Sequence, residues 1–249
     1  MSRLLVIGES CVDVFSYGEC DRLCPAAPVP VFRATETKKH LKKESGGMAM
    51  NVYANMLSLG ANAEIYTNDT WKEISKTRYV DYRTNYIILR LDANEHLYGR
   101  CNLEEIDFTN YDAAVISDYD KGFVTKEDIE YISSHIPITF LDTKKIIGPW
   151  ANNVSYIKIN NNEFERTKYK ISNELTNKII VTLGPDGCRY NDLVYPVPEV
   201  EIRDTSGAGD TFMAALAIEY MHSGNIVKAI KFANNCATKT VQKKGVTTI

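Results

Sequence analysis

The stretch "RDTSGAGDTFMAALAIEYM", residues 203–221, places Gly207-Ala208-Gly209 directly before an acid, Asp210, and a run of apolar residues. Glycines let an anion come close to the backbone. The N–H groups of a first helical turn point outward into the positive end of the helix dipole. A carboxylate beside such an anion hole suits phosphoryl transfer: the acid takes the proton of an attacking hydroxyl while the amides hold the moving group. Each part alone has a plainer explanation. An acid in a first turn is common because the dipole favours it. A single GxG lacks the third glycine of a dinucleotide fingerprint, and this one does not follow the first strand, which argues against a dinucleotide oxidoreductase. There is no GxxxxGK[ST] sequence.

Other segments carry polar groups where ligands bind. Asp13 comes just after the first apolar run, at the carboxyl edge where α/β sheets take their ligands, although a turn would also use an Asp there. Gly46 and Gly47 precede a helix that carries Asn51. Asn160-x-x-Glu163 suits a hard cation that keeps its waters, and equally suits a helix N-terminal cap.

The elements that must position these residues can be read from hydrophobic period. "RLLVIG" is a continuous apolar run, as in a buried parallel strand. From Gly47, apolar residues at Met48, Val52, Met56 and Leu59 end at Gly60, a helix with a glycine stop. "AEIYTN" is a short strand, and "TRYVDYRTNYIILRLD" reads as two strands around an Arg-Thr-Asn turn. Further on come strand "DAAVISD", a helix opened by Thr125 with Asp128 as its capping-box partner, strands "PITFLDT" and "VSYIKIN", the short helix "NNEFERTK", and strand "KIIVTLG" with "GCRYND" beside it. Two helices finish the chain, from Gly207 to His222 and from Ile226 to about Lys239. The first has no polar face after Asp210, so it is central. This alternation predicts an α/β fold: a mainly parallel central sheet with helices on both faces, in a single domain over 1–249. The β-rich segments at about 14–44 and 76–103 are expected to form a small β flap.

The bulk properties set limits. A net charge of -3 with scattered Lys and Arg gives no basic field for nucleic acid. The apolar stretch Leu4 to Ile7 is too short for a signal-peptide core, and no stretch has the length to span a bilayer, so a cytoplasmic location is expected. Six cysteines without a CxxC pair read as free thiols, and four scattered histidines offer no zinc spacing.

Taken whole, "DTSGAGDT" resembles the signature of the ribokinase-like (PfkB) carbohydrate kinases. The resemblance implies that Asp210 is the base activating a sugar hydroxyl and that Gly207, Ala208 and Gly209 form the anion hole. "SGGMAMNVYANMLSLGA" resembles that family's N-terminal glycine motif, implying that Gly46, Gly47 and Asn51 face the sugar, with Asp13 as its sugar-binding aspartate. "KINNNEF" is similar to the NxxE element, in which Asn160 and Glu163 organise Mg²⁺ and phosphates. "VTLGPDG" resembles the turn that covers the nucleotide, implying Thr182, Gly184 and Gly187, and the closing helix implies Asn234. Asp204 and Ser206 match part of a monovalent-cation site, for K⁺, behind the anion hole. ATP would be the donor.

"DRLCPAAPVPVF", "SKTRYVDYRTNYIILRLD", "ISDYDKG" and "LDTKK" resemble kinases of D-glycero-D-manno-heptose 7-phosphate, which act on the anomeric hydroxyl. A substrate that already carries a phosphate needs cations, and Lys76, Arg78, Arg90 and Lys144 are the candidates by charge. Flaps in such proteins often pair between two subunits, which implies a homodimer. Between "NAEIYTN" and "KTRYV" the family usually has a few dozen more residues, where this chain has only "DTWKEIS"; "LDTK" has threonine in place of the usual proline. The trimmed flank leaves a second reading, a non-catalytic sugar or nucleotide sensor on a kinase fold.

Overall fold

The first apolar run continues almost without a break into a second strand. In the computed structural model, β1 (Arg3–Gly8) and β2 (Ser10–Glu19) are separated only by Glu9, yet they belong to different sheets. The described residues are 2–34, 42–243 and 245–249. A short hairpin, β3 (Leu23–Cys24) and β4 (Ala27–Pro30), leads to β5 (Arg33–Ala34), β6 (Lys42–Met48) and helix α1 (Ala49–Ser58). Then follow β7 (Asn62–Tyr66), β8 (Ser75–Asp81), β9 (Ile87–Ala93), β10 (Ala113–Asp118), α2 (Lys126–His135), β11 (Ile138–Thr143), β12 (Tyr156–Asn160) and α3 (Asn161–Thr167). The chain closes with the short α4 (Asn173–Thr176), β13 (Ile179–Thr182), β14 (Cys188–Tyr190), β15 (Leu193–Tyr195), α5 (Ala208–Ser223) and α6 (Ile226–Val241).

The large sheet runs β15-β14-β13-β12-β11-β10-β1-β7, parallel from β13 to β7 and antiparallel at β14 and β15. Its strands are apolar on both faces because both are covered. Leu4 and Val6 of β1 pack with α1, α5 and α6, while Leu5 and Ile7 pack with α2 on the other side. Residues Asp210 to Ala217 of α5 are all buried, as its lack of a polar face requires. The Thr125 capping box closes in both directions: Thr125 Oγ1 accepts the Asp128 N–H, and the Asp128 carboxylate accepts the Thr125 N–H. All six cysteines are free thiols.

The flap is a five-stranded sheet in which β2 pairs with β5 and β6 along one edge and β8 along the other, with β9 outermost. It differs from expectation in its bounds. It begins at Ser10, so Asp13 lies within a flap strand and not in a turn after β1. The period-2 pattern of "SCVDVFSYGE" carries the strand directly onward from the core run. The second part ends at Ala93; residues 95–110 hold three short 3₁₀ turns instead of strand. Residues 35–41 of the expected flap lie outside the described residues. Where the trimmed flank occurs, a single 3₁₀ turn, Asp69–Lys72, carries the chain from β7 directly to β8.

Candidate active site

The carboxyl ends of β10, β11, β12 and β13 open onto a cavity of about 930 Å³, roofed by the 184–187 turn and the 197–202 segment and floored by α5. Gly207, Ala208, Gly209 and Asp210 line it. Gly207, the residue before α5, has φ +80°, a left-handed conformation that favours glycine. A Cβ there would lie 2.7 Å from Asn51 Nδ2.

Asp210 is buried, and each of its carboxylate oxygens has a donor. Asn51 Nδ2 donates to Oδ2 at 2.7 Å, and the Tyr119 hydroxyl donates to Oδ1 at 2.8 Å. Asn55 fixes the orientation of the Asn51 amide, since its Nδ2 donates to Asn51 Oδ1 at 3.2 Å while Asn55 Oδ1 accepts from Thr211. Burial pushes the Asp210 pKa up to about 6, and Asp142 adds to the rise; the Asn51 and Tyr119 hydrogen bonds and the Lys158 charge oppose it. An acid that changes charge near neutrality is matched to general-base work.

The resemblance to known kinases did not single out Asp142, Lys158 or Tyr119. Lys158 of β12 donates to Asp142 of β11 at 2.6 Å, and both are buried at the cavity wall. The ammonium reaches the Gly207–Gly209 loop: a Cβ on Gly209 would lie 2.9 Å from Lys158 Nζ. In the sequence, both residues are single charges inside apolar strands. Their signal is that a charge in a doubly covered strand has to be paired.

Asn160 and Glu163 form a complete capping box at the start of α3: Asn160 Oδ1 accepts the Glu163 N–H, and Glu163 Oε2 accepts the Asn160 N–H. Glu163 Oε1 pairs with Lys144 at 2.5 Å. Lys144 therefore stands on the cavity wall beside Glu163 and Asp142, apart from the Asp13 group with which charge alone had placed it. Burial works against its ammonium, but Asp142, Glu163 and Asp210 together hold its pKa above the ordinary lysine value. Thr182, Gly184, Gly187 and Asn234 also line the cavity. Asn234 Nδ2 is committed to the Tyr195 carbonyl at 2.8 Å, bracing α6 against β15.

Asp13, Gly46 and Gly47 lie together in the flap. Arg78 Nη1 donates to Asp13 Oδ1 at 2.7 Å, and a Cβ on Gly47 would lie 2.6 Å from Asp13 Oδ2. Gly46 packs on Met50. On the same strand face, Arg78 is opposite Arg90 and Lys76 is opposite Asp92. Arg90 is half exposed and forked onto Asp92. Lys76 is buried, with its ammonium 3.1 Å from Met48 Sδ and over the Tyr119 ring. Asp204 accepts the N–H groups of Ser206 (2.9 Å) and Gly245 (3.0 Å), tying the chain before the anion loop to the C-terminal segment.

The donor set fits a divalent cation held through water. Asp142 Oδ1 is buried with no hydrogen-bond partner, Asn160 lines the same wall, and Glu163 stands just behind it on Lys144. Among the described residues no three acidic, His or Cys side chains converge, so these residues offer no all-protein cage. Mg²⁺ typically keeps several waters and takes one or two carboxylates plus substrate phosphates.

The family model described as pfkB family carbohydrate kinase matches residues 77–249. A bifunctional protein HldE from a Nitratiruptor species is 30% identical over 99% of this chain. The chain spans 63% of that relative's length, and the alignment runs over 297 positions against the 249 residues here, so the relative carries residues that this chain lacks. The fold matches Arabidopsis thaliana ribokinase complexed with ribose and ATP (TM-score 0.69, 14% identity, 98% of this chain and 94% of the other). It also matches Escherichia coli phosphofructokinase-2 in complex with potassium (TM-score 0.68, 15% identity, 99% and 94%). Among the described residues no helix is long and apolar enough to cross a membrane.

Proposed function

Because the chain belongs to the pfkB family of carbohydrate kinases, we propose that it transfers the γ-phosphoryl group of ATP to a sugar hydroxyl, the anomeric hydroxyl of a heptose 7-phosphate or a similar sugar phosphate. The observation that carries this reading is Asp210. It is a buried acid with a pKa of about 6, set where the anion loop, the large cavity and the flap meet. Asp210 withdraws the hydroxyl proton. As the sugar oxygen bonds to the γ-phosphorus, the bond from that phosphorus to the bridging oxygen breaks, and its electron pair leaves with the diphosphate. The Gly207 and Gly209 amides and the Lys158 ammonium are proposed to meet the charge that develops on the moving group, while the Ala208 N–H is turned to the Thr205 carbonyl at 3.3 Å. Asp142, Asn160 and Glu163 are the residues that would hold Mg²⁺, which when bound neutralises charge on the phosphates.

On the sugar side, Asp13, with Gly46 and Gly47 behind it, orients the acceptor, and Asn51 holds the base. Lys76, Arg78 and Arg90 give the flap's inner face cations for a phosphate already on the sugar. The heptose assignment rests on the segments that resemble heptose 7-phosphate kinases. Asp204 and Ser206 stand beside the anion loop, where a K⁺ ion would act on it. The flap is proposed to pair two copies of the chain.

The test is ATP consumption with heptose 7-phosphate, fructose 6-phosphate and ribose, for the wild type and Asp210→Asn. One sugar should turn over, and the variant should lose roughly 10²-fold or more of that rate while still binding nucleotide. Binding of ATP or sugar without turnover of any sugar would favour the non-catalytic sensor.

A further inference from the structure

Tyr119 takes no part in the chemistry above, yet its hydroxyl is one of the two donors on the base. It follows Asp118, the last residue of β10, and it lines the large cavity. Its loop is fastened from behind. Glu9, buried between β1 and β2, accepts the N–H of Tyr119 on Oε2 and that of Lys121 on Oε1, both at 3.0 Å. Asp118, also buried, accepts the Asp120 N–H at 3.0 Å, the Lys145 ammonium at 2.6 Å and the Thr143 hydroxyl. The ring lies between two ammonium groups, Lys76 at 5.6 Å from the flap side and Lys144 at 5.3 Å from the cavity side. Burial first, then the Asp210 and Asp142 charges, raise the phenol pKa well above its ordinary value, so the group stays protonated and donates.

We propose that Tyr119 is a positioning residue for the base: its hydroxyl, held in place by the Glu9-fastened loop, fixes the Asp210 carboxylate through the oxygen that Asn51 leaves free. This rests on Asp210 acting as the base. Two donors on two oxygens leave the carboxylate little freedom to turn, so its remaining lone pairs keep one direction as the sugar hydroxyl arrives. The same contact favours the charged form. The groups facing Asp210 are Asn51 of α1, Tyr119 after β10, Asp142 of β11 and Lys158 of β12, with Lys144 after β11 also coupled to it. Removing the phenol leaves Asn51 and the Lys158 and Lys144 charges to oppose burial and Asp142. Asp210 must then titrate at higher pH, and the acidic limb of the rate must move up with it.

The measurement is the titration of the Asp210 carboxyl by ¹³C NMR in the full chain, assigned by its loss in Asp210→Asn, together with the pH profile of kcat/KM. Tyr119→Phe keeps the ring between the two lysines and removes only the hydroxyl. The Asp210 midpoint is expected to rise from about 6 by roughly half a unit or more. The acidic limb of kcat/KM for the sugar should rise equally, with the KM for nucleotide within about twofold of the wild type. Glu9→Gln should move the midpoint in the same direction in the wild type and add nothing in the Tyr119→Phe background. An unmoved midpoint in Tyr119→Phe overturns the proposal. An equal shift from Glu9→Gln in both backgrounds overturns the part given to the Glu9 fastening. A shifted midpoint in a protein that turns over no sugar would uphold the contact and count against the kinase reading instead.

Discussion

Lys158 and Asp142 make a 2.6 Å ion pair with almost no solvent on either side, and the Lys158 ammonium also lies close to Gly209 of the proposed anion hole. Its two roles separate in a variant. Lys158→Met keeps the length of the side chain and strands the Asp142 carboxylate in the wall. Breaking a buried pair from one side costs roughly 3–5 kcal/mol, so a clear fall in the denaturant midpoint is expected. Asp142→Asn keeps the ammonium by the loop but also removes an oxygen proposed to hold Mg²⁺, so the two variants are compared at saturating Mg²⁺: there Asp142→Asn should retain more activity than Lys158→Met, and full retention in Lys158→Met would remove Lys158 from the chemistry. The pH rule at this scale follows from the sign of the Asp210 shift. The acid is raised to about 6 in the free protein and, as the proposed base, works only when ionised, so kcat/KM should fall as pH drops through 6, and the wild-type profile checks this directly.

Among the described residues two helices open with the same device, and one of them lies on the cavity. The capping boxes of α2 (Thr125 and Asp128) and α3 (Asn160 and Glu163) have the same hydrogen bonds, but Glu163 spends its second oxygen on Lys144 beside Asp142. Glu163→Gln preserves a capping-box side chain and removes the charge. It is expected to raise the Mg²⁺ concentration needed for half-maximal rate about tenfold, with a melting temperature near that of the wild type. Thr125→Ala, the control, should do the reverse, costing about 1 kcal/mol of stability with no change in Mg²⁺ requirement. The elements themselves were legible because their periods are plain. The all-apolar α5 turned out buried from Asp210 to Ala217, and Thr125 capped α2 as its spacing demanded. The site was legible where glycines and acids cluster at a helix start. It was not legible where the candidate site draws on one residue of a strand end. Tyr119, Asp142 and Lys158 come together only through the β10-β11-β12 register, which no local pattern encodes. Asp13 looked like a turn residue because nothing local says that the chain leaves one sheet for another at Glu9.

The two faces of the flap are unlike, and the difference bears on the state of the whole molecule. Arg78, Arg90, Lys76 and Asp92 share the face with Asp13, while Leu89 and Leu91 point the other way, opposite Tyr79 and Thr77, and are about half exposed. Among the described residues the outermost strand, β9, also presents an unpaired edge. Exposed apolar side chains along an open edge are what proteins normally cover. A second copy of the same flap supplies both a matching apolar face and a strand edge. The chain is therefore expected to sediment as a dimer, and Leu89→Lys with Leu91→Lys to sediment as a monomer with its fold intact by circular dichroism. The inner face stays untouched in that variant, so its effect on KM for the sugar reports whether pairing holds Asp13, Arg78 and Arg90 in place over the acceptor. A dimer whose loss leaves sugar KM unchanged would make the pairing purely a cover for the edge. A wild type that sediments as a monomer at assay concentration would remove the flap as the pairing surface altogether.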